Sequence, residues 1–173
     1  TPRANNTISG NYLQEQVHKT ITIDQHGKQV IKYKDNQGKK IIKKVQADAV
    51  PSASHTGWLC TYYVYDDLNN LRFVIPPKAV ASMNMANNWT LSQTTIDELC
   101  FRYEYDQRNR MIAKKVPGAG WVYMVYDVRD RLVFTQDANM RQKSPAQWMY
   151  ILYDVLNRPA QSGIMQYDGT RDV

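Results

Sequence analysis

The stretch CFRYEYDQRNRMIAKKVPGAGWVYMVYDVRDRLVFTQD, residues 100–137, contains the same pattern twice. In both copies Tyr-Asp is followed by two variable residues, then by Asn or Asp, and then by Arg. The copies are Tyr105-Asp106 with Asn109-Arg110, and Tyr126-Asp127 with Asp130-Arg131. An aspartate side chain can accept a backbone N–H about two residues on, and both Asn and Asp tolerate a positive φ. The pattern therefore predicts a short turn that joins two antiparallel strands.

The same frame recurs on both sides of this stretch. Two further copies carry Tyr-Asp and an asparagine, and two N-terminal copies carry glycine at the turn position, where a positive φ has no steric cost. These copies are Asp24 with Gly27, Asp35 with Gly38, Tyr65-Asp66 with Asn69, and Tyr153-Asp154 with Asn157-Arg158. A pattern that returns along a chain is the signature of a repeat architecture, so we interpret the chain as a series of hairpin repeats.

Alternation along the strands before the turns predicts two different faces. Odd steps back from each Tyr-Asp aspartate give a consistently bulky face, and we expect this face to be the packed one. It comprises Tyr65, Tyr63 and Thr61; Tyr105, Tyr103 and Phe101; Tyr126, Met124 and Val122; and Tyr153, Ile151 and Met149. On the mixed opposite face, Cys60 and Cys100 hold the position that Trp121 and Trp148 hold in later repeats. Equivalent positions favour a packing role for the cysteines, while a disulfide between stacked repeats stays open.

The predicted fold class is mainly β, built from antiparallel β-hairpin repeats with one or two short helical insertions. Two short Asp-x-x-Gly repeats occupy residues 18–46, and the Tyr-Asp repeats occupy residues 58–76, 98–116, 120–137 and 147–163. Residues 77–97 form a helical or loop insertion, which begins where Pro76-Pro77 ends a strand. Within the excursion at residues 79–99, Ser92 can cap a helix over residues 94–99. Ser144-Pro145, in a second insertion at residues 139–147, predicts another helix start.

Composition and charge narrow the class of protein. Hydrophobic residues make up 43% of the chain and charged residues 22%, which fits a globular protein. Much of the net charge of +6 lies between Lys28 and Lys44, where only Asp35 opposes the lysines. Such a run can bind an acidic surface, but exposed lysines also block strand-edge pairing, which is the interpretation we favour. Because arginines and stacking aromatic residues are scarce in this run, we expect no nucleic-acid partner.

Candidate catalytic and metal-binding residues are few, and we expect neither enzymatic activity nor a metal or cofactor. Cys60 and Cys100 are too few for a typical zinc site, and Cys60 with His55 is a weak nucleophile–base candidate. His18 and His26 lie in polar stretches. The repeated aspartates could act as acid–base pairs or bind calcium, but their regular place before turns favours capping.

Aromatic residues offer one alternative function. The chain has 12 tyrosines against 3 phenylalanines, and tyrosine suits half-buried strand surfaces with one wet edge. Tryptophans could stack on sugars, although core packing is the commoner use. They are Trp58, Trp89, Trp121 and Trp148.

The repeated motif resembles the YD-repeat, or Rhs, family, and in particular the Rhs-type proteins of Bacteroidetes. The resemblance covers residues 21–163 and includes the segments TYYVYDDLNNLRFVIPP (61–77) and YILYDVLNRPAQSG (150–163). It implies a ribbon of hairpins that spirals into a hollow β-shell, which in related toxins encloses a C-terminal toxic domain. Residues 1–173 would then be a single repeat segment of a longer chain. The family cleaves itself at a characteristic Asp-Pro, which this sequence lacks, so that activity is not carried over.

The resemblance implies a structural function. We expect a segment of a secreted or cell-surface protein of the bacterial envelope, whose partners are the remainder of its own longer chain and a C-terminal effector domain. Self-association through open strand edges is a further expectation. The alternative is a carbohydrate- or cell-surface-binding adhesion module that uses exposed aromatic residues to bind a glycan or an acidic surface.

Overall fold

Short hairpin turns set the architecture of the computed structural model, which describes residues 14–86 and 89–169. A single 3-10 turn, Gln14–Gln16, precedes the first strand. The strands are β1 Val17–Ile23, β2 Gln29–Asp35, β3 Lys40–Gln46, β4 Trp58–Tyr65, β5 Leu71–Ile75, β6 Phe101–Tyr105, β7 Met111–Lys115, β8 Trp121–Tyr126, β9 Leu132–Gln136, β10 Gln147–Tyr153 and β11 Pro159–Gln166. The helices are α1 Pro77–Ala86, α2 Gln93–Leu99 and α3 Ala138–Arg141. The predicted mainly β class, with hairpin repeats and helical insertions, is therefore confirmed.

The chain divides into two compact units, Thr1–Phe101 and Arg102–Val173. We call them the first and the second unit. Within each unit the strands lie side by side in chain order, and every pair is antiparallel. Such sequential pairing can use short connections, and the repeated turn motif forms six of them.

Five of the six turns are accompanied by a β-bulge. In these hairpins the strand register shifts at the residue before the aspartate, for example between Val64 and Tyr65. A residue in the left-handed region next to such a bulge is a common way to close a three-residue hairpin loop. The extra residue lies in the strand after the turn, as Arg72 does between Leu71 and Phe73.

The first unit has its hydrophobic core on the face that we did not expect to be packed. Its buried residues are Cys60, Ile75, Ala79, Val80, Met83, Leu91, Ile96 and Cys100, with Trp58, Tyr62, Val64, Phe73 and Leu99 packed against them. All the β4 members of this cluster belong to the mixed face. The prediction from bulk was wrong, because the helices of the insertion cover the mixed face and bury its smaller side chains.

The two helical insertions can be compared with the sequence prediction. Helix α1 starts at Pro77, the first residue of the predicted insertion, because proline lacks the N–H that a strand would need but suits the first helical position. Ser92 caps α2 as predicted, with its hydroxyl accepting from the backbone N–H of Thr95 at 3.1 Å. In the second insertion the helix begins earlier, after its cap Asp137.

Ser144-Pro145 does not start a helix, and that prediction was wrong. Only Ala146 separates this dipeptide from β10, which begins at Gln147 and pairs with Gln166. Strand pairing therefore leaves no room for a helical turn at this point.

The described part of the chain contains no helix that is long and apolar enough to cross a membrane.

Candidate functional site

The six predicted turns share one hydrogen-bonding pattern. In each turn one oxygen of the aspartate accepts from the backbone N–H groups two and four residues on, at 2.8–3.0 Å. The residue three positions after the aspartate has a positive φ, from 57° to 80°, in every case. These residues are Gly27, Gly38, Asn69, Asn109, Asp130 and Asn157. Asparagine and aspartate replace glycine here because they tolerate the left-handed region better than other side chains.

A cation four residues after the aspartate pairs with the other carboxylate oxygen. Arg110 and Arg131 each donate from Nε at 2.7 Å and from Nη2 at 2.6 Å to Asp106 and Asp127. Arg158 does so at 2.8 Å from both nitrogens to Asp154. Paired N–H donors on one carboxylate make a charge-assisted contact that fixes the guanidinium plane. The turn thus holds each arginine in one orientation.

The fixed arginine then contacts the next repeat. The guanidinium of Arg110 lies 5.0 Å from the ring centroid of Tyr126, and its Nη1 donates to the carboxylate of Asp130 at 2.7 Å. Arg131 repeats the step, 4.8 Å from the ring of Tyr153 and 3.0 Å from the side-chain oxygen of Asn157. A guanidinium over an aromatic face is attracted to the ring electrons. Each step therefore joins one turn to the next.

The tyrosine of the next repeat completes the step with its hydroxyl. Tyr126 donates to the backbone carbonyl of Met111 at 2.9 Å, and Tyr153 donates to that of Leu132 at 3.0 Å. Both acceptors directly follow the arginine of the preceding repeat. The same contacts of cation, ring, hydroxyl and turn residue recur from repeat to repeat. We call this series of inter-repeat contacts the cation–tyrosine ladder.

The first unit contains the same step with lysine in place of arginine. The Nζ atom of Lys39 lies 5.5 Å from the ring centroid of Tyr65 and donates to the side-chain oxygen of Asn69. It also pairs with Asp35 at 3.5 Å. Because an ammonium lacks the planar fork of a guanidinium, the lysine step has a longer carboxylate contact.

The ladder is the main feature that sequence reasoning missed. We expected Arg110, Arg131 and Arg158 to belong to the repeat but assigned them no contact. The signal was present, since a cation lies four residues after the aspartate in five of the six repeats, and a tyrosine directly precedes it in four. A fifth dipeptide, Tyr167-Asp168, has a different role. The carboxylate of Asp168 accepts from the backbone N–H of Ala146 at 2.7 Å and so extends the pairing of β10 with β11.

The lysine run is less solvated than we expected. Lys44 is only 7% exposed, and its Nζ donates to the backbone carbonyl of Ser54 at 2.5 Å. Its charge also lies 5.9 Å from the ring centroid of Trp58. Lys40 lies over Tyr63 at 4.8 Å. These lysines pack their charges against aromatic rings and loop carbonyls, so they are not the exposed lysines that the edge-blocking interpretation assumed.

Of the other candidate residues, His55 and the two cysteines are the ones engaged in packing contacts. Nε2 of His55 lies 2.7 Å from the hydroxyl of Tyr62, and its Nδ1 lies 3.1 Å from that of Ser54. Both ring nitrogens of His55 therefore contact hydroxyl groups rather than the Cys60 thiol. Burial raises the pKa of that thiol. Cys60 and Cys100 are both buried, and His18 and His26 lie on exposed positions.

The tryptophans differ widely in exposure. Trp148 is 4% exposed, whereas Trp89 is 40% exposed and lies 4.7 Å from the ring of His55. Trp121 is half-buried beneath the guanidinium of Arg102 at 5.0 Å. Within residues 14–86 and 89–169, no three His, Cys, Asp or Glu side chains are placed to hold a metal ion.

Acid is expected to weaken the turns. Partial desolvation acts to raise the pKa of Asp106, but hydrogen bonds from the Arg110 backbone and guanidinium outweigh it and lower the pKa below its ordinary 3.8. The same balance lowers the pKa of Asp127, and hydrogen bonds from Arg158 lower that of Asp154. Carboxylates with a lowered folded pKa contribute stability above their unfolded pKa and lose it as pH falls through the folded value.

We therefore expect the thermal midpoint to fall steeply as the pH is lowered below 3.8, the ordinary value. Circular dichroism melts between about pH 5 and pH 2 measure this dependence. The control is the triple variant D106N/D127N/D154N, in which an amide oxygen can still cap each turn but does not titrate. Its midpoint should be lower near neutral pH and flatter in acid. An equally steep acid dependence in this variant would contradict the assignment.

Comparison with known proteins finds similar solved structures. No protein-family model matches the chain, and no curated protein matches it either. The chain resembles part of the Tc holotoxin pore of Photorhabdus luminescens with a mutated TccC3, at 15% identity and a TM-score of 0.56. It also resembles the crystal structure of TcdB2–TccC3, at 15% identity and a TM-score of 0.57, and the form without the hypervariable C-terminal region, at 16% and 0.52.

These likenesses concern the fold alone. The matches cover 86%, 81% and 80% of this chain, but only 6% of each toxin chain. The chain therefore spans a small fraction of the proteins that it resembles. What it shares with them is a similar fold over most of its own length.

Proposed function

We propose that this chain is a structural repeat segment of a secreted or surface-delivered protein of the Rhs type. In this proposal it forms part of the wall of a β-shell, and the shell encloses or presents a C-terminal toxin or effector domain. The observation that carries the proposal is the cation–tyrosine ladder. In each step the cation belongs to one repeat, and the tyrosine and the turn residue belong to the next. Repeats joined in this way can be added one after another to extend a wall.

The character of the contacts supports a structural role. The ladder arginines neutralise turn carboxylates and cover tyrosine rings, and the side chains of Arg110 and Arg131 are 23% exposed. Such residues stabilise a repeat interface rather than offer free groups to a substrate. The likeness to small parts of TcdB2–TccC3 and Tc holotoxin chains supports a toxin-associated setting and delivery outside the cell.

Strand edges give the proposal a direct test. Among the described strands, β1 and β11 each pair with one neighbour only, and an open edge of this kind invites pairing with another strand. If the segment belongs to a continuous wall, the amides on these edges should be protected by adjoining repeats in the natural polypeptide.

The experiment is hydrogen–deuterium exchange of the isolated 173-residue chain and of the full natural polypeptide. We expect β1 and β11 to exchange at least about tenfold more slowly in the full polypeptide, while β8 and β9 exchange equally in both. Equal exchange of the edge strands in the two forms would contradict the wall and favour a stand-alone module.

A further inference from the structure

The last step of the ladder is open. Arg158 holds the same position after Asp154 that Arg131 holds after Asp127, with the same paired contacts to the carboxylate. Its side chain is nevertheless 70% exposed, compared with 23% for Arg131. Within the described part of the chain, no ring or turn residue lies against the Nη1 atom of Arg158.

Three completed steps show which groups a ladder cation contacts. Lys39, Arg110 and Arg131 each lie over the tyrosine of the next repeat and donate to the side-chain oxygen of its turn residue. The turn residue is Asn in two steps and Asp in one. A planar ring and a side-chain oxygen at this spacing are therefore the two groups that the ladder cation recognises.

A fourth step shows that the contact depends on the sequence of the following hairpin. Lys28 follows Asp24 at the same distance, but the next repeat has Lys34 in place of tyrosine and Gly38 in place of asparagine. Among the described residues, Lys28 makes neither a ring contact nor a side-chain hydrogen bond. A cation at this position therefore makes the ladder contacts only when the following hairpin carries the tyrosine and a turn residue with a side-chain oxygen.

We propose that the exposed edge formed by Arg158 and β11 is a recognition site for a β-hairpin with the sequence Tyr-Asp-x-x-Asn or Tyr-Asp-x-x-Asp. The incoming tyrosine lies under the Arg158 guanidinium and donates its hydroxyl to the backbone carbonyl of Pro159, which stands where Met111 and Leu132 stand in the completed steps. The turn Asn or Asp accepts from Nη1 of Arg158. This inference rests on the proposed function and names the chemistry of the repeat that adjoins this edge.

A second copy of this chain is a poor occupant. Its free edge, β1, leads into the turn at Asp24, where Ile23 replaces the tyrosine and Gly27 provides no side-chain oxygen. Neither group that the ladder cation contacts is present on that hairpin. Charge also favours a Tyr-Asp hairpin, because its turn residue offers oxygen to a guanidinium that is only partly neutralised by Asp154.

Apolar exposure beside the arginine fits an edge that another strand covers. Ile164 on β11 is 60% exposed, and Tyr167 just beyond the strand is 47% exposed. The arginine gives the edge its selectivity for the partner, and the apolar side chains provide area that is removed from water on binding.

The test uses a hairpin that this chain itself provides. A backbone-cyclised peptide of residues 121–136, which carries Tyr126-Asp127 and Asp130, is titrated into the intact 173-residue protein. Cyclisation is needed because an isolated two-stranded hairpin is marginally stable in water. NMR of the arginine Nε–H groups reports on Arg158 directly. We expect a saturable shift of the Arg158 resonance.

Variants on both partners separate recognition from general strand addition. Arg158→Gln should weaken peptide binding about tenfold, and Arg158→Lys should weaken it less, because Lys39 makes the same step. Arg129→Gln, at an exposed arginine in another turn, is the matched control and should leave binding unchanged. Peptides with Tyr126→Leu or Asp130→Ala should also bind more weakly. Unchanged thermal midpoints of the protein variants exclude unfolding as the cause.

Three results would overturn the inference. They are absence of binding, binding that ignores both Arg158→Gln and Tyr126→Leu, and a concentration-dependent dimer through β1 that the peptide does not disperse. None of these results decides the proposed wall, which the exchange of β11 in the full polypeptide tests separately. Protection of β11 there without Arg158-dependent peptide binding would leave the wall in place and remove only this recognition site.

Discussion

Replacing Met83 with alanine is expected to lower the free energy of unfolding of the first unit by about 2–5 kcal/mol. Met83 is 2% exposed and lies in the cluster that joins α1 to β4. Truncation removes buried apolar atoms and leaves a cavity that neighbouring side chains refill only in part. Urea unfolding followed by circular dichroism measures the loss as a shift of the midpoint at constant slope.

Two controls separate core loss from other effects of the substitution. Lys78→Ala changes an exposed side chain on the same helix, and Met149→Ala changes a methionine that is 38% exposed on β10. Both should alter stability by less than about 1 kcal/mol. A Met83→Ala variant as stable as these controls would show that the insertion decorates the hairpins without forming their core.

Replacing Gly57 with alanine is the second substitution for which we expect a large effect, about 2 kcal/mol or more of destabilisation. Gly57 has a φ of +81°, which disfavours any residue with a Cβ atom. An added Cβ would also lie 2.7 Å from the Cα atom of Pro51, a backbone atom that cannot move alone. The loop between β3 and β4 would have to shift, and with it the carbonyl of Ser54 that accepts from Lys44.

Gly38 provides a matched control for the backbone angle. Its φ is +80°, and a Cβ built there meets nothing within 4 Å. Gly38→Ala therefore reports the cost of the left-handed backbone, about 1 kcal/mol, without the clash. Thermal unfolding of both variants gives the contribution of the clash as their difference. Equal midpoints would mean that the loop adapts freely, and that Lys44 does not depend on its present path.

The repeat steps show how far one sequence pattern reaches. The spacing of the aspartate and the turn residue predicted the six turns that share the motif, because capping and a positive φ depend on residues within the turn itself. The contacts of Arg131 with Tyr153 and Asn157 were not predicted. They join residues 22 and 26 positions apart, and they exist only when the neighbouring strands have paired in this register.

The helical insertion shows the same difference between local contacts, which the sequence predicts, and long-range packing, which it does not. The sequence marked Ser92 as a helix cap, because a cap is a contact with a backbone N–H three residues on. It did not reveal that α1 and α2 would bury Cys60 and Cys100 on the face opposite the large aromatic residues.

The sequence by itself determined the mainly β class, the positions of the turns and the repeat frame, because these depend on local backbone preferences and on side chains a few residues apart. Only the tertiary structure decided which face is buried, why Lys44 is covered, and that each ladder cation contacts the following repeat. The physical reason is that burial and inter-repeat contacts depend on which elements pack together, and period-two alternation describes both faces of a strand without saying which one a helix will cover.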